Sequence, residues 1–116
     1  MSYGYGPPRP NVPEVTIDEL EKARADGAPL IDVREPDEYL AGHVPGAVPI
    51  PLGQVVDRQG EVPRGERVYV ICQGGGRSAR AAQFYRSQGI DAVNVGGGTA
   101  AWARSGKPVV GGPDPG

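Results

Sequence analysis

Two short apolar runs, Leu30-Ile31-Asp32-Val33 and Val68-Tyr69-Val70-Ile71, stand out from a chain broken every few residues by glycine, proline or charge. Each is bounded by turn residues and too short for a helix, so each predicts a buried strand. The second is continuously apolar, as a central parallel strand covered on both faces should be. Asp91-Ala92-Val93-Asn94-Val95 predicts a third strand. Val48-Pro49-Ile50 predicts a short edge strand, because Pro49 has no N–H to give to a central ladder.

Helical patterns alternate with these runs. Thr16-Ile17-Asp18-Glu19 fits a capping box and opens a helix over about 17–25, with Leu20, Ala23 and the stem of Arg24 on one face and Gly27 ending it. Glu35-Pro36-Asp37-Glu38-Tyr39-Leu40 places proline and acids in a first turn, with Tyr39 and Leu40 as anchors. Pro51 to Val56 predicts a short helical segment, and 57–66 a surface loop. Ala79 to Gln88 predicts a helix packing through Ala81, Phe84 and Tyr85, with Gly89 as its cap. Thr99 to Arg104 predicts a last one, anchored by Trp102. Strands alternating with helices give an α/β fold with a mainly parallel sheet. In such sheets ligands bind beyond the carboxyl ends of the strands.

Composition trims this picture at both ends. Of 116 residues, 19 are glycine and 13 proline, and both ends, Tyr3 to Pro10 and Gly111 to Gly116, are rich in them. Residues 1–11 and 111–116 are therefore expected as flexible tails around one domain over 12–110. A formal charge of −2 gives no general nucleic-acid footprint, so no nucleic-acid partner is expected. No apolar stretch approaches the ~20 residues of a membrane span. The N-terminus carries no apolar signal core, and the simplest location is the cytoplasm. One cysteine and one histidine make neither an internal disulfide nor a zinc site, so no metal is expected.

That one cysteine changes the picture most. Cys72-Gln73-Gly74-Gly75-Gly76-Arg77-Ser78 links the central strand to the following helix. A thiol reacts as its thiolate, and a free one is mostly protonated at neutral pH. A helix N-terminus presents unpaired N–H groups, and glycines let successive amides curl toward one anion. Arg77 adds a permanent charge and planar donors. A lone cysteine at a strand end is often an inert packing residue, and three glycines can be a plain turn. Their conjunction with Arg77 in a strand–loop–helix context favours a nucleophile in an anion cradle, working by covalent catalysis with no cofactor. Gly74 to Ala79 also fits G-x-G-x-x-A, but no acid ends the next strand to hold a ribose; the P-loop pattern is absent. Asp32, a carboxylate at a buried strand end, needs partners and reads as structural, as does Arg34. His43 reads as bracing its turn.

Taken together, Ile31-Asp32-Val33-Arg34-Glu35, Glu38 to Ala47, the Cys72–Ser78 loop and Gly96 to Trp102 with Gly106-Lys107-Pro108-Val109 resemble, in order, four signatures of the rhodanese homology family. The resemblance implies a single domain with a central, mainly parallel five-stranded sheet flanked by helices on both faces. It also implies a thiosulfate sulfurtransferase-like enzyme. Cys72 would take a sulfane sulfur as a persulfide from a small donor such as thiosulfate. A thiol, cyanide or a protein sulfur carrier would accept it. Loop amides from Gln73, Gly74, Gly75, Gly76, Arg77 and Ser78 would hold the persulfide, Arg77 would orient the donor, and Asp32 and Arg34 would support the site. Four residues separate Cys72 from Arg77, whereas related cysteine-dependent phosphatases have one more; a phosphatase is therefore the lesser alternative. The family pattern C-x-[ST]-G-x-R-S has a hydroxyl where this chain has Gly74. That departure keeps a second alternative in view, a non-catalytic module that senses sulfane sulfur or recruits a partner.

Overall fold

The computed structural model describes residues 12–116. The tail expected at 1–11 lies outside the described residues. The elements run β1 (Glu14–Val15), α1 (Ile17–Ala25), β2 (Leu30–Asp32), α2 (Pro36–Ala41), β3 (Val48–Pro49), β4 (Val68–Ile71), α3 (Gly76–Ser87), β5 (Ala92–Val95) and α4 (Gly98–Arg104). Two single 3-10 turns, Leu52–Gln54 and Gln59–Glu61, lie between β3 and β4. The five strands form one sheet in the order β1-β5-β4-β2-β3, and every pairing is parallel.

The strand order follows from the apolar pattern. β4 is central, and its side chains alternate between two cores. Val68, Val70 and Cys72 face α3, joining Ala81, Ala82, Tyr85 and Ile50. Ile71 faces the opposite layer, with Leu20 of α1, Tyr39 of α2 and Trp102 of α4. Burying both faces of a parallel sheet is what an unbroken apolar run requires. Proline-bearing β3 sits at one edge, as its missing donor demands. The other edge, β1, is too short to announce itself: Val15 is its one buried side chain.

Local signals were accurate where two of them agreed. At α1, Thr16 Oγ1 accepts from the Glu19 amide at 3.1 Å while Glu19 Oε1 accepts from the Thr16 amide at 2.8 Å, a complete capping box. Trp102 is buried, its indole N–H donating to Pro108 O at 2.7 Å. Three expectations need correcting. Leu40 does not anchor α2: it is 47% exposed, and Tyr39 alone turns inward. The helix expected from Ala79 starts three residues earlier, at Gly76, because Gly75 at φ +113° already turns the chain into it. Residues 111–116, expected as a free tail, are tied to the turn around His43. Gly112 N donates to Leu40 O at 2.9 Å, and Gly46 N donates to Pro115 O at 2.7 Å.

His43 itself braces that turn. It is fully buried and stacks on Tyr39 with ring centroids 3.6 Å apart. Its Nδ1 lies 2.9 Å from Tyr39 O and its Nε2 2.9 Å from Asp114 O, within the turn's own network. Among the described residues no helix is long and apolar enough to cross a membrane.

Candidate active site

The carboxyl end of β4 delivers Cys72 into the mouth of a loop that closes over its sulfur. Residue 72 is 1% exposed. Gly75 N–H donates to Sγ at 3.1 Å, and the Ser78 hydroxyl lies 3.2 Å from the same atom. Burial pushes the thiol up. The Ser78 hydroxyl and the amides of Ser78, Gly75 and Gly74 outweigh that and leave it below the ordinary thiol value. Starting α3 at Gly76 is what brings Ser78 into its first turn, with the side chain fully buried beneath the sulfur.

The three glycines are not equivalent. Gly75 holds a left-handed conformation that only glycine adopts without strain. Gly74 and Gly76 have φ outside that region, and a Cβ on either would meet open space. The hydroxyl that the resemblance leads one to expect at position 74 would therefore fit.

Arg77 is engaged by an acidic partner. Its guanidinium makes a bidentate pair with Glu38 of α2, at 2.7 and 3.0 Å. This hydrogen bonding, working against burial, holds the Glu38 carboxyl down at about 2 and pushes the guanidinium further up. Glu38 also accepts from the Glu35 amide at 2.9 Å, which fixes it in the first turn of α2. The pair ties the N-terminal turn of α3 to α2 across the mouth of the site.

Asp32 and Arg34 form the buried counterpart. Both are buried, with Arg34 Nη2 2.9 Å from Asp32 Oδ2. Arg34 Nη2 also donates to Gly42 O at 2.8 Å, and Nη1 donates to Gln73 Oε1 at 3.2 Å. One guanidinium thus connects β2, the turn after α2 and the first loop residue after Cys72. Gln73 lines a cleft of roughly 540 Å³ together with Arg34, Glu38, Thr99, Ala103 and Val109.

Residues that sequence reasoning left out complete the frame. The amides of Thr99 and Ala100, at the N-terminus of α4, donate to Cys72 O at 2.9 Å and Gln73 O at 3.0 Å. Thr99 Oγ1 donates to Cys72 O at 3.1 Å. Asn94 of β5 is buried and binds three partners: its Oδ1 lies 2.6 Å from Ser78 Oγ, and its Nδ2 donates to Gly75 O and Glu14 Oε1, each at 3.2 Å. A polar residue inside an otherwise apolar four-residue strand was the one available signal for Asn94. Nothing short of the fold relates Glu38 to Arg77, 39 positions away.

With this geometry in place, likeness to known proteins is specific. The family model for the rhodanese-like domain matches residues 16–105. A sulfurtransferase of Allochromatium vinosum is 35% identical over 102 residues, covering 85% of this chain and 95% of its own. The Bacillus subtilis proteins YrkF and YqhL are 38% and 46% identical over 95 and 76 residues, covering 79% and 65% of this chain. The chain spans only 51% and 60% of those two relatives' lengths. Among solved structures, a rhodanese-related protein of Thermoplasma volcanium superposes with a TM-score of 0.80 at 31% identity, over 84% of this chain and 97% of its own.

Proposed function

The chain belongs to the rhodanese-like domain family, and on that premise we propose that it transfers sulfane sulfur through a persulfide on Cys72. The observation that carries the reading is two groups able to donate to one sulfur anion: Gly75 N–H at 3.1 Å and the Ser78 hydroxyl at 3.2 Å. Both favour a sulfur anion over a neutral thiol, and an anion is what each half of the reaction needs.

In the first half, the Cys72 thiolate attacks the outer sulfur of thiosulfate or a related donor. A new S–S bond forms to Cys72. The donor's own S–S bond breaks, and sulfite (or a thiolate) leaves with its electron pair. The negative charge then rests on the terminal sulfur of the persulfide, at the mouth of the loop amides. In the second half, cyanide or an acceptor thiolate attacks that terminal sulfur. The S–S bond to Cys72 breaks, and the thiolate returns to the cradle as thiocyanate or a new persulfide departs. No redox partner is consumed, because the sulfane sulfur keeps its oxidation level throughout. Arg77 assists a negatively charged donor from a position fixed by Glu38, and Asp32 and Arg34 hold the loop through Gln73. The donor reaches the site from solution or from a partner protein; a cytoplasmic setting, where small thiols are abundant, suits the acceptor half.

Steady-state transfer to cyanide tests the reading. With thiosulfate and with a small persulfide as donors, rates should follow the parallel-line pattern of a double displacement. Cys72→Ser should abolish turnover. Turnover at background with both donors in the intact protein would overturn it.

A further inference from the structure

Ser78 has one hydroxyl proton and two acceptors. Asn94 Oδ1 lies 2.6 Å from its oxygen and Cys72 Sγ 3.2 Å. A hydroxyl donates to one acceptor at a time and can itself accept. All three side chains are buried, at 0%, 3% and 1% exposure for Ser78, Asn94 and Cys72, so the choice is settled within the trio.

The Asn94 amide cannot turn over to present nitrogen to Ser78. Its Nδ2 donates to Gly75 O and to Glu14 Oε1, both of which only accept. Its oxygen therefore faces the hydroxyl. An amide oxygen is a much better acceptor than a thiol sulfur. In the thiol form the hydroxyl donates to Asn94, and a lone pair on Oγ is left for the Cys72 S–H. In the anionic form the ranking reverses. The thiol proton leaves to solvent, the hydroxyl swings to the charged sulfur, and Asn94 Oδ1 gives up its donor.

We propose that Asn94 is a positioning residue that sets the resting direction of the Ser78 hydroxyl, holding its proton off Cys72 until the sulfur becomes an anion. This rests on the reading of Cys72 as the nucleophile. Ser78 and Asn94 then act with opposite signs on the same atom: Ser78 favours the anion, and Asn94 opposes its formation by competing for the donor. The charged groups around the trio are Arg77 with Glu38 from α3 and α2, Arg34 with Asp32 from β2, and Glu14 from β1. Their charges are the same in the variants below, although Asn94→Leu takes from Glu14 the hydrogen bond that Nδ2 gives it.

The test is the pH dependence of Cys72 alkylation, unambiguous in a chain with one cysteine. Ser78→Ala should raise the midpoint by about one pH unit, a tenfold change in the thiolate-to-thiol ratio. Asn94→Leu should lower it by roughly half a unit or more. In the double variant the midpoint should equal that of Ser78→Ala, because Asn94 acts through the hydroxyl. A midpoint raised by Asn94→Leu, or moved as far in the Ser78→Ala background as in the wild type, would overturn the proposal and leave Asn94 a strut for Gly75. Should Asn94→Leu not fold, the infrared S–H band decides. It should lie lower in the wild-type protein than in Ser78→Ala; equal bands would mean the hydroxyl rests on sulfur, against the proposal. Sulfur uptake by the wild-type protein is measured separately, so loss of the enzymatic reading and loss of this one are distinguishable.

Discussion

The chain contains two runs of three glycines, at 74–76 and 96–98, and each links a parallel strand to a helix at the carboxyl end of the sheet. They do different jobs. In the first, Gly75 alone needs to be glycine, and the loop's amides turn toward the Cys72 sulfur. In the second, all three positions are constrained: a Cβ at Gly96 would lie 2.6 Å from the Glu14 carboxylate. Gly97 at φ +78° would place a Cβ 2.7 Å from the Ala101 side chain. Gly98 at φ +60° would place one 2.5 Å from the carbonyl oxygens of Cys72 and Gln73. The second loop holds no reacting group; its helix amides grip the backbone of the first. One loop makes the cradle, and the other fixes where it stands.

If that division is right, the largest effect lies away from the cysteine. Gly98→Ala combines a disfavoured φ with contact against backbone that cannot step aside, and should cost about 3 kcal/mol by overpacking. Thermal or denaturant unfolding would read this, and sulfur transfer should fall with it. An alanine at 98 that left stability unchanged would break the comparison.

Gly75→Ala should cost less, roughly 1–2 kcal/mol, since its Cβ has room and only the left-handed φ opposes it. Its signature should be local: the alkylation midpoint of Cys72 should rise as the Gly75 amide is pulled from the sulfur.

The first loop also has a charged brace that the second lacks. Glu38 is held near 2 against an ordinary 4.5 by Arg77, so its contribution to stability is present above about 4.5 and is lost as pH falls toward 2. Glu38→Gln should destabilise by at most about 1 kcal/mol at neutral pH, with the difference from wild type vanishing near the acid end. Melting temperatures recorded from pH 7 downward would show the two curves converging. Curves that stay parallel would remove Glu38 from the brace.

Gly74→Ser should change stability least, within about 0.5 kcal/mol, because a Cβ there meets nothing within 4 Å. Sulfur transfer should hold or rise as a hydroxyl joins the loop. A large loss would mean that open backbone at 74 is itself required.

These contrasts explain what the sequence could and could not convey. Capping at Thr16, the unbroken run at 68–71 and the proline in β3 are local signals backed by burial, and they placed α1, the central strand and the sheet edge. Cys72 and its glycines marked the loop that ends the central strand for the same reason. The two glycine runs look alike as letters, and only backbone angles and approach distances separate them. Glu38 with Arg77, Asn94 with Ser78, and α4 with the Cys72 carbonyl are all long-range meetings that no spacing encodes. The N-terminal boundary of α3 was misplaced because a glycine at 76 argues against a helix until Gly75 is seen to set its first turn.

The most direct measurement is intact mass after brief exposure to thiosulfate or a small persulfide. The wild-type protein should gain the mass of one sulfur atom, and cyanide should remove it while thiocyanate forms. Cys72→Ser should gain nothing. A wild-type protein that remains unmodified by both donors, or a Cys72→Ser variant that carries the same adduct, would contradict a persulfide held on Cys72.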